Sequence, residues 1–235
     1  TSDKNSMQNL VGQLNFILNP GTYVLTLRGS DFENEEKVET YETEFIADNN
    51  SAGNCEISDI EWANAISKSS NDKSVFYKNT LEVIPNPSGL FGKNLPNANY
   101  YLEFYGLTSE NVGDKYSIIY SVLLLKGDTI IRNVKNFNTK APSKADYGSF
   151  KVDTLQSGTY LFTASVIGAD GTEKAAKDKK FYIFSETVAK NEPNKADGFL
   201  MSEFAAMSEE ELEKEVERMI YIMPEKQYDQ YEVLK

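Results

Sequence analysis

Residues 21–27 read GTYVLTL and residues 158–164 read GTYLFTA, so one short pattern occurs twice, 137 residues apart (158 − 21). In both copies a turn element precedes the glycine, and apolar side chains then occupy alternate positions. This period of two is typical of a half-buried strand. Each copy continues through a polar tip into a second strand, at residues 40–47 and 179–184. The repeat therefore predicts two copies of the closing hairpin of a β-sandwich.

The two copies differ in what precedes them. Before the second copy, strand-like segments occur at residues 100–107, 116–125, 129–137 and 149–155. Together with the hairpin they make about six or seven short strands, with the turn spacing of an immunoglobulin-like or fibronectin-like sandwich. The first copy follows only 20 residues, which is too short for the same set of strands. We therefore expect the first sandwich to be incomplete at its N-terminal side.

Breakers rich in proline, asparagine and glycine divide the chain. The predicted organisation is a first β-sandwich at residues 1–85, a linker at 86–98, a second β-sandwich at 99–190, a linker at 191–207 and a helical segment at 208–235. The expected fold class is mainly β, with tandem immunoglobulin- or fibronectin-like sandwiches followed by a short C-terminal helical segment that begins a further domain.

The C-terminal segment carries the signals of an amphipathic helix. Ser208 and Glu211 have the spacing of a capping box. Apolar residues then recur at three- or four-residue steps, as Leu212, Val216, Ile220 and Met223. Such a stripe cannot be buried by the helix alone. We predict that it packs on a further domain of the same protein, the alternative being the groove of a partner protein.

Composition excludes several classes of function. Lys and Arg number 24 against 36 for Asp and Glu, which gives a net charge of −12 and makes nucleic acids poor partners. The chain has no histidine, so triads and zinc sites that depend on imidazole are excluded. Cys55 is the one cysteine, which rules out an intrachain disulfide. No run of 18 apolar residues occurs, so no transmembrane segment is expected. We predict no catalytic residues and no enzyme within this chain.

One loop has the composition of a weak calcium site. Residues 48–54 read DNNSAGN, and calcium prefers several oxygen ligands from a short loop with a glycine at its turn. The candidate ligands are Asp48, Asn50 and Asp59, whereas Ala52 offers no ligand at a position that needs one. The same composition is also typical of an ordinary loop between strands. The ordinary loop is the favoured interpretation, so no cofactor is expected.

Residues 100–105 read YYLEFY and offer candidate binding rings. Alternation places Tyr101 and Tyr105 on one face of a strand and Tyr100 and Phe104 on the other. One pair is then expected in the core. The other pair is a candidate platform for stacking on sugars or peptides.

Four segments resemble a known family. Residues 57–61 (ISDIE), 76–79 (FYKN), 81–92 (LEVIPNPSGLFG) and 204–212 (FAAMSEEEL) are similar to stretches of the bacterial GWxTD-domain proteins. The resemblance implies export and β-sandwich modules ahead of a mixed C-terminal region, and it implies no particular reaction. The naming motif itself is absent, since Trp62 is the one tryptophan and lies outside such a motif. We therefore expect the family's C-terminal domain to lie beyond this sequence.

These observations give two hypotheses for function. The first is a non-catalytic structural or protein-interaction module of an exported bacterial protein, in the periplasm or at the cell surface. Its partners are expected to be other protein chains or missing domains of the same chain. The alternative is a pair of carbohydrate- or peptide-binding accessory domains of a larger enzyme. An exposed aromatic strip on one sheet favours the alternative, and a buried set of tyrosines favours the interaction module.

Overall fold

The computed structural model describes residues 11–30, 38–47, 53–92, 94–125 and 127–184. The fold of these residues is mainly β, as the sequence predicts, with one short helix among the described elements. They form a two-stranded hairpin and a sandwich of two larger sheets.

The N-terminal hairpin consists of β1 (Gly21–Ser30) and β2 (Val38–Ala47). The two strands are antiparallel and pair from Gly21 opposite Ala47 to Ser30 opposite Val38. Residues 11–20, which precede β1, contain no strand. Within the described part of the chain, β1 and β2 therefore form a sheet of their own.

The remaining elements build the sandwich. In chain order they are β3 (Glu56–Ile57), β4 (Glu61–Lys68), β5 (Tyr77–Lys78), β6 (Leu81–Pro85), β7 (Leu90–Gly92), β8 (Asn97–Tyr105), α1 (Ser109–Val112), β9 (Lys115–Leu124), β10 (Thr129–Asn138), β11 (Lys144–Lys151), β12 (Gly158–Ile167) and β13 (Glu173–Phe184). One sheet has the order β10-β9-β12-β13-β7, in which the β13–β7 pair is parallel. The other has the order β11-β8-β4-β6-β5, and β3 also pairs with β8.

The core lies between these two sheets. In β12 the buried side chains are those of Tyr160, Phe162, Ala164 and Val166, which is the alternation that the sequence predicts. The facing sheet contributes Trp62, which is 2% exposed. Its ring centroid lies 5.1 to 6.2 Å from the centroids of four phenylalanine rings: Phe91, Phe150, Phe162 and Phe181.

The structure corrects the predicted domain division. The strands within residues 56–85, assigned above to a first sandwich, belong to the six-stranded sheet: β3 and β4 pair with β8, β6 pairs with β4, and β5 pairs with β6. Ile60 and Trp62 lie in the core of this sandwich. The predicted linker at 86–98 lies inside this sandwich, where residues 86–89 carry the chain from one sheet to the other. Asn86 is buried, and its backbone N–H donates to Trp62 O at 2.7 Å. The Pro/Gly-rich composition thus marks a crossing between layers and not a separation of domains.

A glycine in this crossing has a packing reason. Gly89 has φ +60, a left-handed conformation that side chains rarely adopt. A Cβ at this position would lie 3.2 Å from Cδ1 of Trp62. The turn therefore requires glycine for both its backbone and its contact with the core.

The other predicted segments have different outcomes. The strands proposed within residues 100–184 correspond to β8 to β13, except that the strand proposed at 149–155 lies earlier in the chain, as Lys144–Lys151. A complete first sandwich over residues 1–85 does not occur among the described residues, because β1 and β2 stand alone there and β3 to β6 belong to the sandwich just described. The linker at 191–207 and the helical segment at 208–235 lie outside the described residues.

Many tyrosines of the sandwich are held in their neutral form. Burial is the main cause that raises the pKa of six of them: Tyr100, Tyr101, Tyr105, Tyr116, Tyr120 and Tyr160. For Tyr120 the charge of Asp146 adds to the effect, since the phenol donates to Asp146 Oδ2 at 2.5 Å. Lys135 Nζ donates to the same oxygen at 2.7 Å, which ties β10 to β11 across the open side of the sandwich.

We expect the free energy of unfolding to fall as the pH rises above about 10, the pKa of an unfolded tyrosine. A folded-state pKa above the unfolded value means that this stabilisation is complete below pH ~10 and is lost above it. The measurement is the urea midpoint at increasing pH, followed together with phenolate absorbance. The buried tyrosines should ionise only as the protein unfolds. Ionisation of all tyrosines while the circular dichroism spectrum stays native would contradict this expectation.

Candidate protein-interaction surface

The N-terminal hairpin repeats the closing hairpin of the sandwich in its contacts as well as in its sequence. The Tyr160 hydroxyl donates to Gln156 O at 2.8 Å, and the Tyr23 hydroxyl donates to Asn19 O at 2.9 Å. A tyrosine that bonds back to the backbone just upstream is typical of immunoglobulin-like sandwiches. Both bonds span four residues, so β1 begins with the same corner as β12.

The ring stack next to the corner is also repeated. Tyr160 pairs with Phe181, with ring centroids 5.5 Å apart and an interplanar angle of 24°. Tyr23 pairs with Phe45, with centroids 5.8 Å apart and the same angle of 24°. The β1–β2 hairpin therefore has the local structure of a sandwich's closing hairpin.

The two hairpins differ in what covers them. Phe162 and Ala164 are buried by the facing sheet, whereas Leu27, the counterpart of Ala164, is 41% exposed. None of the residues of β1 and β2 is buried. Other large apolar side chains exposed on the hairpin are those of Val24, Val38, Tyr41 and Ile46. The face of the hairpin that carries Tyr23, Leu25 and Leu27 is thus less covered than the matching face of β12, which is buried.

The two strands of the hairpin carry different charges. β2 contains Glu39, Glu42 and Glu44, whereas the one charged residue of β1 is Arg28. Neither outer edge pairs with another strand in the described part of the chain. Charged side chains on an edge strand discourage the addition of further strands. By this criterion the charged side chains of β2 discourage a further strand from pairing with it, whereas the outer edge of β1 is more available for pairing.

The predicted tyrosine platform is largely closed. Tyr100 and Phe104 lie in the main core, as one of the two pairs was expected to do. On the other face, Tyr101 is buried in a small cluster with Ala63, Leu81 and Val83. Its ring is therefore not open to a ligand.

A carboxylate holds the polar ends of this second pair. The Tyr101 hydroxyl donates to Glu103 Oε1 at 2.5 Å, and the Tyr105 hydroxyl donates to Oε2 of the same carboxylate. Asn79 Nδ2 donates to Glu103 Oε1 at 3.0 Å. Burial, followed by the bond to Glu103, raises the pKa of both phenols. Asn79 lies in the turn between β5 and β6, whereas Glu103 lies in β8. The cluster therefore anchors the β5–β6 turn on β8. Its sequence signal was the Tyr-x-Glu-x-Tyr alternation, which places all three residues on one face.

The turn that this cluster holds has an unusual backbone. Asn79 and Thr80 have φ values of 46 and 66, so both central residues of the hairpin turn are left-handed. Asparagine adopts this conformation readily, but a β-branched threonine rarely does. The sequence lacks the Asn-Gly pair that signals such a turn, so local composition does not predict this hairpin.

The calcium candidate is not assembled in the described structure. Asp48 and Asn50 lie outside the described residues. The side chain of Asp59 is 89% exposed, and its Oδ1 lies 2.5 Å from Nζ of Lys177. Among the described residues, no three Cys, Asp or Glu side chains are grouped closely enough to hold a metal ion. Calcium binding stays the weaker of the two predictions for this loop.

The apolar stripe of Leu212, Val216, Ile220 and Met223 also lies outside the described residues. No described helix is long and apolar enough to cross a membrane.

Comparisons with known proteins give weak structural similarities. No family model and no curated protein matches this chain. Dimeric latent PorU from Porphyromonas gingivalis is similar at 10% identity and a TM-score of 0.32, over 72% of this chain and 13% of that one. An immunoglobulin-like protein from Pseudomonas aeruginosa is similar at 11% identity and a TM-score of 0.30, over 55% of this chain and 96% of that one.

A β-glucuronidase from Bifidobacterium dentium, complexed with coumarin-3-O-glucuronide, is similar at 15% identity and a TM-score of 0.28, over 62% of this chain and 19% of the enzyme. This chain thus spans a small part of PorU and of the glucuronidase. Because the TM-scores are this low, neither the activity nor the ligand of these proteins is assigned to this chain.

Proposed function

We propose that this chain is a non-catalytic protein-interaction module and that the β1–β2 hairpin is its contact surface. One observation carries the proposal. The hairpin reproduces the tyrosine corner and ring stack of β12–β13, yet none of the side chains that β12–β13 buries has a buried counterpart in β1–β2: Tyr23, Leu25 and Phe45 are half-buried and Leu27 is exposed.

Energetics supports a covered hairpin. An isolated two-stranded hairpin is at best marginally stable in water. Each square ångström of apolar surface removed from water contributes about 25 cal/mol. Clustered exposed apolar side chains are therefore typical of surfaces that meet another protein. Leu27 and Tyr41, which lie opposite each other in β1–β2 and are 41% and 49% exposed, form such a pair.

The binding-platform alternative receives less support from the described surface. It requires an exposed aromatic strip, and the rings predicted for it are closed by Glu103 and its neighbours. Tyr147, which lies opposite Tyr101 in β11, is 42% exposed. A single ring does not make a strip. Placement outside the cytoplasm is proposed from the resemblance to GWxTD-domain proteins, and cell fractionation tests it.

The test is site-specific photocrosslinking of the full chain in the bacterium that makes it. A photoreactive residue replaces Leu27 in one variant and Ile130 in a control, since these side chains are 41% and 40% exposed. We expect a discrete protein adduct from position 27 and none from position 130. The same adducts from both positions, or no discrete adduct at 27, would overturn the proposal. Glycan binding that is lost in Tyr147→Ala would favour the alternative instead.

A further inference from the structure

The sandwich shows which strand flanks its closing hairpin. The outer edge of β12 pairs with β9, antiparallel, from Tyr160 opposite Leu124 to Ile167 opposite Ser117. The outer edge of β13 pairs with β7 over three residues only. A long antiparallel strand therefore lies on the first strand of the hairpin.

We propose that the outer edge of β1, which pairs with no other described strand, receives an antiparallel β-strand from another polypeptide, in the place that β9 takes on β12. This inference rests on the interaction function proposed above and specifies the partner's chemistry. Main-chain hydrogen bonds provide the affinity of strand addition, and alternate side chains provide its specificity. The added strand presents apolar side chains at alternate positions, as β9 does with Tyr116, Ile118, Tyr120 and Val122.

Charge selects β1 over β2 as the receiving edge. A strand added to β2 would lie beside Glu39, Glu42 and Glu44, and these carboxylates disfavour every acidic or neutral apolar strand. A strand added to β1 meets Arg28 as its one charged neighbour on that strand. The partner strand is therefore uncharged, because a basic strand would be repelled by Arg28 and attracted to the glutamates of β2.

The same charges argue against a second copy as the donor. Each chain carries a net charge of −12, so two copies repel one another. Most strands of the sandwich, namely β4, β6, β8, β9, β12 and β13, also pair on both sides, so a second copy could not donate one of them without opening its own sheet. A donor strand from a different, less acidic polypeptide satisfies both conditions.

The test uses a peptide with the β9 sequence, Lys115–Leu124, extended by lysines for solubility. The peptide is added to the full chain, and amide hydrogen exchange is measured residue by residue. We expect slower exchange in β1 and no change in β2. A scrambled peptide of the same composition is the control, because it lacks the alternation.

Two matched variants test on which face of the sheet the apolar side chains of the added strand lie. Leu25→Lys places an unpaired charge on the side of Tyr23, and we expect at least about a tenfold loss of peptide affinity. Val24→Lys places the same charge on the opposite face, where less than about a threefold loss is expected. Equal effects would contradict the predicted orientation.

The outcomes separate this inference from the proposed function. Protection of β2, equal binding of the scrambled peptide, or no binding of the β9 peptide overturns strand addition at β1. A dimer that Leu25→Lys dissociates shows a second copy as the occupant and also overturns it. Protection of β1 before any peptide is added, lost when residues 185–235 are removed, shows a segment of this chain and overturns it. A discrete crosslink at position 27 alongside any of these results leaves the interaction function standing.

Discussion

Replacing Trp62 with alanine is expected to lower the free energy of unfolding of the sandwich by about 3–5 kcal/mol. The indole packs against four phenylalanine rings, two of which, Phe162 and Phe181, belong to the closing hairpin. Its Nε1–H donates to Lys180 O at 3.0 Å, so truncation also removes this hydrogen bond. The loss is large because a cavity opens where the two sheets meet.

The measurement is urea unfolding followed by circular dichroism, since the variant has no tryptophan to report by fluorescence. Ile84→Ala, at an exposed position of neighbouring β6, is the control and should change stability by less than about 1 kcal/mol. Trp62→Phe keeps most of the volume and should cost about 1–2 kcal/mol, which remains measurable if the alanine variant does not fold. A loss below about 1 kcal/mol for Trp62→Ala would contradict the assignment of residues 56–85 to this sandwich.

Tyr160→Ala is expected to lower the free energy of unfolding by about 3 kcal/mol or more, whereas Tyr23→Ala should change it by less than about 0.5 kcal/mol. The two tyrosines share the same corner bond and the same type of ring partner. They differ in burial, because Tyr160 is covered by the facing sheet and Tyr23 is not. The comparison therefore isolates the contribution of the covering layer.

The measurement is again urea unfolding of each variant in the full chain. Tyr160→Phe serves as the control for the hydroxyl, and loss of its bond to Gln156 O should cost about 1 kcal/mol. Equal losses for the two alanine variants would mean that the β1–β2 hairpin is packed as firmly as β12–β13. That result would remove the uncovered surface on which the proposed function depends.

Regular elements of this fold could be predicted because local pattern determines them. The two hairpins that begin with GTY are predicted by the repeated sequence, and the strict alternation of apolar residues places Tyr160 and Phe162 in the core. The faces of Tyr100 and Tyr101 follow from the same rule. In each case the pattern extends over enough residues for the period of two to be read.

Non-local pairing could not be predicted in this way. β4 runs beside both β6 and β8, and its register shifts between Ala63 and Ala65. The breaker at residues 86–89 has the composition of a linker, and only tertiary contacts show that it crosses between layers. The sequence likewise could not show that the first hairpin lacks a facing sheet among the described residues.

The hydrogen bond from Trp62 to Lys180 joins residues 118 positions apart. At a translation rate of about 5–20 residues per second, the ribosome needs about 6–24 s to reach Lys180 after Trp62 has been added. During that interval the indole has no closing hairpin to cover it. The core of the sandwich is therefore completed only after residue 180 has been added, and its apolar segments stay exposed on the nascent chain until then.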